Sequence, residues 1–380
     1  MKKSILYVIL TVIITFSGCF SENANAETPN VISESSLSDI SEAAAVSTTS
    51  VPEADPAEEI LAEMSLDEKI GQVILVRYPD NAPEQAELYR FGGYTLYAKD
   101  IENETPQSLS AKLDEVRAKT KLPPFIAADE EGGEIVRVSR YPAFAEKPLP
   151  SVQTALAEGT SMEDFTAEMA ETLKKAGVNL NLAPVADVAE NPSDYIYERT
   201  CGLDHEGTSQ VIDEIVSGMN RHGIMCCLKH FPGYGSNVDT HTGIAVDSRE
   251  SADFESGDFL PFKAGIEAGA PMVMVNHNIV TAYNADMPAS LAPEVHSALR
   301  GLGFEGIIIT DDLGMDAILL YTDNPYVTAF LAGNDMLCVT DGAACFEALR
   351  EAVQSGDISE ERLEESVLRI IKAKMEYGIA

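Results

Sequence analysis

A (β/α)8 barrel, spanning residues 57–380 as one domain, is the fold class this sequence predicts. Three observations lead to it. From residue 57 onward eight short apolar runs recur, near-continuous rather than alternating, as in strands buried on both faces. Longer stretches with helical period separate most of them. Four of the runs pass directly into ionisable residues, and barrel folds carry their chemistry at the carboxyl ends of the strands. The alternative is a doubly wound open sheet. It loses support because no G-x-G-x-x-G follows a strand and no P-loop occurs.

In chain order the predicted strands are Gln72–Val76, Tyr94–Ala98, Phe125–Ala128, Asn179–Pro184, Cys226–His230, Met272–His277, Gly306–Thr310 and Met336–Val339. Glu206–Arg221 reads as a helix, with Ile212, Ile215, Val216 and Met219 on one face. Leu291–Leu302 and Glu360–Tyr377 are read likewise, and His205, His222 and His296 in helical stretches are expected at the surface. Cys201, Cys226, Cys227, Cys338 and Cys345 are expected to be packing residues. Six cysteines in 380 residues, with no C-x-x-C, make neither a disulfide scaffold nor a zinc or redox motif, and no cofactor is predicted.

The chain has 26 Lys and Arg against 62 Asp and Glu, a net charge of −36. Nucleic acid is held by clustered cations, so it is excluded as a partner, as is electrostatic docking on anionic lipid. Without Trp, any sugar-stacking platform must be Tyr or Phe. At the N-terminus, Lys2 and Lys3 precede an apolar run from Ile5 to Ile14, too short to span a bilayer but typical of export signals. Phe16-Ser17-Gly18-Cys19 resembles a bacterial lipoprotein box, with Phe16 where Leu is usual; residues 1–19 are therefore read as a signal peptide and Cys19 as the lipidation site. Ala24-Asn25-Ala26 is the competing cleavage site and would give a secreted protein. Either way the mature protein is expected outside the cytoplasm, with contact to the membrane only through a lipid anchor. Residues 20–56 hold seven acidic residues, no basic one and no hydrophobic period, which reads as a disordered tether.

The third strand ends in Asp129-Glu130-Glu131-Gly132-Gly133, the fifth in Lys229-His230, the sixth in Asn276-His277 and the seventh in Asp311-Asp312. Singly, Glu130, Glu131 and Asp312 could be loop charges or helix caps. Together, four such endings at one end of a barrel point to a site. The stretch Lys229–His241 leaves a strand, turns through two glycines and presents Asp239 and His241 two apart. A carboxylate beside an imidazole orients the ring and supports its cation, which suits proton transfer near neutral pH. A metal centre drawn from His230, Asp239, His241 and His277 is the weaker reading, because no H-x-x-x-H supports it; no metal is predicted.

These residues resemble glycoside hydrolase family 3, and within it the short bacterial β-N-acetylglucosaminidase (β-N-acetylhexosaminidase) branch. The resemblance rests on Asp129–Gly133, on Arg137 eight residues after Asp129, on the Lys229–His241 loop, and on Gly303–Asp312, which is similar to the family's nucleophile signature. It implies Asp311 as the nucleophile, His241 as the acid/base and Asp239 as its orienting partner. It further implies substrate-binding roles for Asp129, Arg137, Arg199, Lys229 and His230, with His277 a weaker candidate. For Arg199 the plain alternative is a salt bridge to Glu198 or Asp194. Two positions depart from the branch: three residues rather than four separate Gly235 from Asp239, and Tyr234 stands where His is common. Larger family members carry a further domain that supplies a Glu acid/base. This chain ends about where the barrel would, which favours His241.

The implied activity is that of a retaining exo-glycosidase removing terminal β-linked N-acetylglucosamine or N-acetylhexosamine from cell-wall-derived or other glycans, with carbohydrate as the partner. A β-glucosidase, β-xylosidase or phosphorylase of the same fold, and a non-catalytic glycan-binding surface lipoprotein, remain the alternatives.

Overall fold

The computed structural model describes residues 55–235, 245–314 and 318–380. The predicted signal peptide with Cys19, nearly all of the predicted tether, and the loop positions Asp239 and His241 lie outside the described residues. The strands are β1 (Ile74–Arg77), β2 (Gly93–Thr95), β3 (Phe125–Ala128), β4 (Leu180–Asn181), β5 (Met225–Phe231), β6 (Val246–Asp247), β7 (Met272–Val275), β8 (Ile279–Val280), β9 (Ile307–Thr310) and β10 (Leu337–Val339). Eight of them form one parallel sheet in the order β10-β1-β2-β3-β4-β5-β7-β9. A parallel bridge between Ile309 and Met336 joins its two edges, so the sheet closes nearly all the way round. Every residue of β3, β5, β7, β9 and β10 is buried, which is why these runs show no polar alternation.

Helices wrap the outside. His205–Arg221 starts on the side chain of Asp204, which accepts from the Gly207 amide, and buries Val211, Ile212, Ile215, Val216 and Met219. That face packs on Met162–Lys175 and Phe259–Glu267. The final helix, Glu360–Glu376, is capped by Ser359 and buries Leu363, Val367, Ile370 and Ile371. No helix among the described residues is long and apolar enough to cross a membrane.

Several boundaries differ from expectation. Asp55 and Pro56, assigned to the tether, open the first helix: Asp55 accepts from the Ala57 amide and proline occupies the first turn. Gln72 closes a helix, and Ala98 starts one rather than ending a strand. The fourth strand shrinks to two residues because the chain beyond Asn181 leaves the regular ladder. His296, expected at the surface, is buried. Its helix Pro293–Gly301 turns Val295, His296 and Leu299 inward, and His296 Nδ1 donates to the Ala292 carbonyl at 2.9 Å. The parallel pair β6–β8, with Val246 opposite Ile279 and Asp247 opposite Val280, was not expected. The five cysteines among the described residues are all buried and unbonded to one another, as packing residues should be.

Candidate active site

One cavity of about 480 Å³ collects residues from the carboxyl ends of the strands. Arg77 ends β1, Tyr97 follows β2, Asp129 and Glu131 follow β3, Lys229 and His230 end β5, and Asp311 and Asp312 follow β9. Arg137, Tyr195 and Tyr234 line it from loops, and Arg199 from the 3-10 turn Tyr197–Arg199. Six residues singled out in the sequence, Asp129, Arg137, Arg199, Lys229, His230 and Asp311, therefore share one space.

Four of these charges are interlocked. Lys229 Nζ donates to Asp129 Oδ1 at 2.9 Å and lies 2.6 Å from Glu131 Oε1. Arg199 grips both oxygens of Glu131, at 2.9 and 2.8 Å. Neither Glu198 nor Asp194 is its partner. Arg137 stands farther off, 3.7 Å from Asp129. Burial alone would raise the Glu131 pKa, but Lys229 and Arg199 overcome that and push it down to about 2. The result is a fixed arrangement of one partly exposed carboxylate acceptor, Asp129, flanked by cationic donors. That suits recognition of adjacent sugar hydroxyls, since each group is already held before a ligand arrives.

Glu130 and Glu131 are neither surface charges nor helix caps. Glu130 is fully buried and accepts the backbone amides of Arg137, Val138 and Ser139 at 2.7 to 3.1 Å. It folds the segment that carries Arg137 back toward Asp129. Asn181 at the end of β4 locks the same corner, exchanging two 3.0 Å hydrogen bonds with the Glu130 backbone. Gly132 has φ +92°, and a Cβ there would lie 2.2 Å from the Pro150 carbonyl oxygen, so only glycine fits that corner.

Asp187 was missed. Its buried carboxylate accepts His230 Nδ1 at 2.6 Å, the His230 amide at 3.1 Å and the Tyr234 amide at 2.7 Å. It thereby aims the His230 ring, whose Nε2 lies 3.2 Å from Arg199 Nη2, and fixes the chain just before the segment that holds Asp239 and His241. The signal was present: Asp187 lies three residues beyond the predicted end of the fourth strand, the only residue type there that can accept three N–H groups. Gly233 (φ +119°) runs so close to Asp258 that a Cβ would approach its Oδ1 to 2.4 Å. After the segment, Arg249 ties Asp247 of β6 to Asp258 with 2.7 Å bonds to each. Both ends of that segment are thus anchored to the barrel.

Asp311 is half-buried at the cavity floor. Burial opposes its ionisation, yet His277, His230, the Asp312 amide and Lys229 outweigh it and hold its pKa below the usual aspartate value. It is therefore held as a carboxylate rather than as an acid. Asp312 accepts from the Gly314 amide at 2.8 Å and the Thr340 hydroxyl at 3.2 Å. His277 stands behind the cavity wall, where its Nε2 donates to the Asp312 carbonyl at 3.1 Å and its Nδ1 pairs with the Ser290 hydroxyl at 2.7 Å. Among the described residues no group of three or more His, Cys, Asp or Glu could hold a metal ion.

Residues 65–373 match the glycosyl hydrolase family 3 N terminal domain. The chain belongs to glycosyl hydrolase family 3. Among curated relatives, beta-hexosaminidase A of Pseudoalteromonas piscicida is 29% identical over 77% of this chain and 55% of its own. A beta-hexosaminidase of Stenotrophomonas maltophilia is 34% identical over 53% of this chain and 62% of its own. The chain thus spans less than two thirds of the length of these family 3 relatives. Among solved structures, a family 3 beta-N-acetylglucosaminidase from Paenibacillus superposes with a TM-score of 0.77 at 26% identity, over 83% of this chain and 63% of that one. M tuberculosis LpqI superposes at 0.75 and 27% identity, over 84% of this chain and 96% of that one. The barrel with its nearly closed parallel sheet is the family 3 fold.

Proposed function

We propose that this protein is a retaining exo-glycosidase that removes terminal β-linked N-acetylglucosamine or a related N-acetylhexosamine. The observation that carries the reading is an ionised Asp311 on the floor of a cavity whose wall holds the Asp129–Lys229 and Glu131–Arg199 pairs. The names of the family 3 relatives support the N-acetylhexosamine part. Asp311 attacks the anomeric carbon and forms a glycosyl ester while the leaving oxygen takes a proton; water then releases the sugar with retention. His241, oriented by Asp239, is the acid and then the base, on the strength of its motif. The cavity wall binds the sugar hydroxyls: Asp129 accepts, and Lys229, Arg137 and Arg199 donate. Cell-wall-derived glycans are the proposed source. The lipoprotein box supports attachment through Cys19 outside the cytoplasm.

Hydrolysis of an aryl β-N-acetylglucosaminide, with and without phosphate, tests this directly. A fluorinated substrate should label Asp311, and Asp311→Ala should lose more than about 10³-fold in kcat. Labelling of Asp312 would reverse the assignment. Turnover of aryl glucosides or xylosides instead would refute the N-acetylhexosamine preference.

A further inference from the structure

We propose that Arg77, which shares the Tyr97 ring and the cavity lining with Arg137, forms a binding site for an oxyanion, a carboxylate or a phosphate, at the rim of the active-site cavity. The proposal rests on the glycosidase reading only for the sugar that accompanies the anion. Arg77 is the last residue of β1 and lines the same cavity as Asp311. Its guanidinium carbon lies 4.1 Å from the centroid of the Tyr97 ring, and that of Arg137 lies 5.7 Å from the same centroid.

Among the described residues the Arg77 side chain makes no hydrogen bond and no ion pair. Arg77 is an exposed residue, so its charge is open to a ligand that enters the cavity. The other cavity cations, Lys229, Arg199 and Arg137, each face a carboxylate. Arg137 is itself under-used: Asp129 stands 3.7 Å away, and the Arg137 Nε is buried with no partner. Asp312, the cavity carboxylate that also faces Tyr97, is occupied by the Gly314 amide and the Thr340 hydroxyl. Tyr97 supplies no anion, because burial holds its phenol far above the ordinary value. The Arg77 guanidinium sits 4.1 Å from the ring centroid and none of its N–H groups is taken by a partner, so its fork can meet two oxygens of one oxyanion. The ligand is therefore an anionic substituent on the substrate or a free oxyanion entering beside the sugar.

The test compares two substrates of the same sugar, a nitrophenyl N-acetyl-β-glucosaminide and its carboxy-nitrophenyl counterpart, which differ by one carboxylate. The ratio of their kcat/KM values, anionic over neutral, should fall about fivefold in Arg77→Gln and less in Arg77→Lys, as expected for a partly exposed charge contact. Each ratio is taken within one preparation, so partial misfolding cancels. In a second arm, inorganic phosphate should raise the wild-type Tm more than that of Arg77→Gln. A changed ratio alone assigns the anion to the substrate, and a changed phosphate response alone assigns it to a free oxyanion. Equal ratios together with equal phosphate responses overturn the proposal. If the wild type cleaves neither substrate, the glycosidase reading fails, and the phosphate arm alone decides the oxyanion site.

Discussion

Asp187 gathers three N–H groups on two oxygens, so a change of one atom there has a calculable consequence. In Asp187→Asn only one oxygen remains, and the new NH2 must face either the Tyr234 amide or His230, donor against donor. The side chain keeps its volume, so the barrel should stay folded with a Tm loss of a few degrees. Catalytic efficiency should fall about 10²-fold, and the pH–rate profile should shift with it, because the imidazole and the chain leading to His241 both lose their anchor. A Tm collapse with an unchanged pH profile in the surviving fraction would reduce Asp187 to a purely structural residue. Glu131 makes a pH prediction. A carboxyl whose folded pKa is about 2 and whose ordinary value is 4.5 stabilises the fold fully above about pH 4.5 and loses that contribution as pH falls toward 2. Glu131→Gln should therefore cost about 3 kcal/mol at pH 7, since it leaves Arg199 without its carboxylate and Lys229 with Asp129 alone. The gap to wild type should close between pH 4.5 and 2 in thermal unfolding.

The C-terminal helix carries a different conflict. Lys374 is completely buried, with its Nζ 2.7 Å from Gln72 Oε1 and 4.8 Å from the Phe125 ring centroid. Burial pushes its pKa down to about 7 from the ordinary 10.5. The unfolded chain then binds more protons than the folded one between pH 7 and 10.5, so this residue's penalty is full below about pH 7 and fades as pH rises to 10.5. Lys374→Met, which fills the same space without the charge, should raise stability on the order of 2 kcal/mol at pH 6 and give little gain near pH 10.5. Denaturant unfolding at the two pH values checks the sign. A variant less stable at both would mean that the Gln72 hydrogen bond outweighs the desolvation.

For the molecule as a whole, the described residues that line the cavity all belong to the barrel. A Cys19→Ser chain should therefore leave the membrane fraction while its kcat/KM on a soluble substrate stays within about twofold of wild type. Equal membrane retention would remove lipidation at Cys19 as the means of attachment. The barrel itself was legible because it follows from local period: β7 and β9 are unbroken apolar runs, and the helix His205–Arg221 repeats its apolar face as the sequence does. The site was legible where strand ends carry charge, as at Asp129, Lys229 and Asp311.

What the sequence determined on its own was therefore the set of elements and the end of the barrel where chemistry collects, both of which depend on residues a few positions apart. What tertiary structure alone decided was partnership. Arg199 reaches Glu131 across 68 positions, and Lys229 reaches Asp129 across 100. His296 turns inward because Gly333, lacking a Cβ, lets the chain pass so close that one would lie 2.9 Å from the His296 Cβ. Hydrogen bonds and ion pairs depend on sub-ångström geometry between residues that only folding brings together, and no local period in the chain records that geometry.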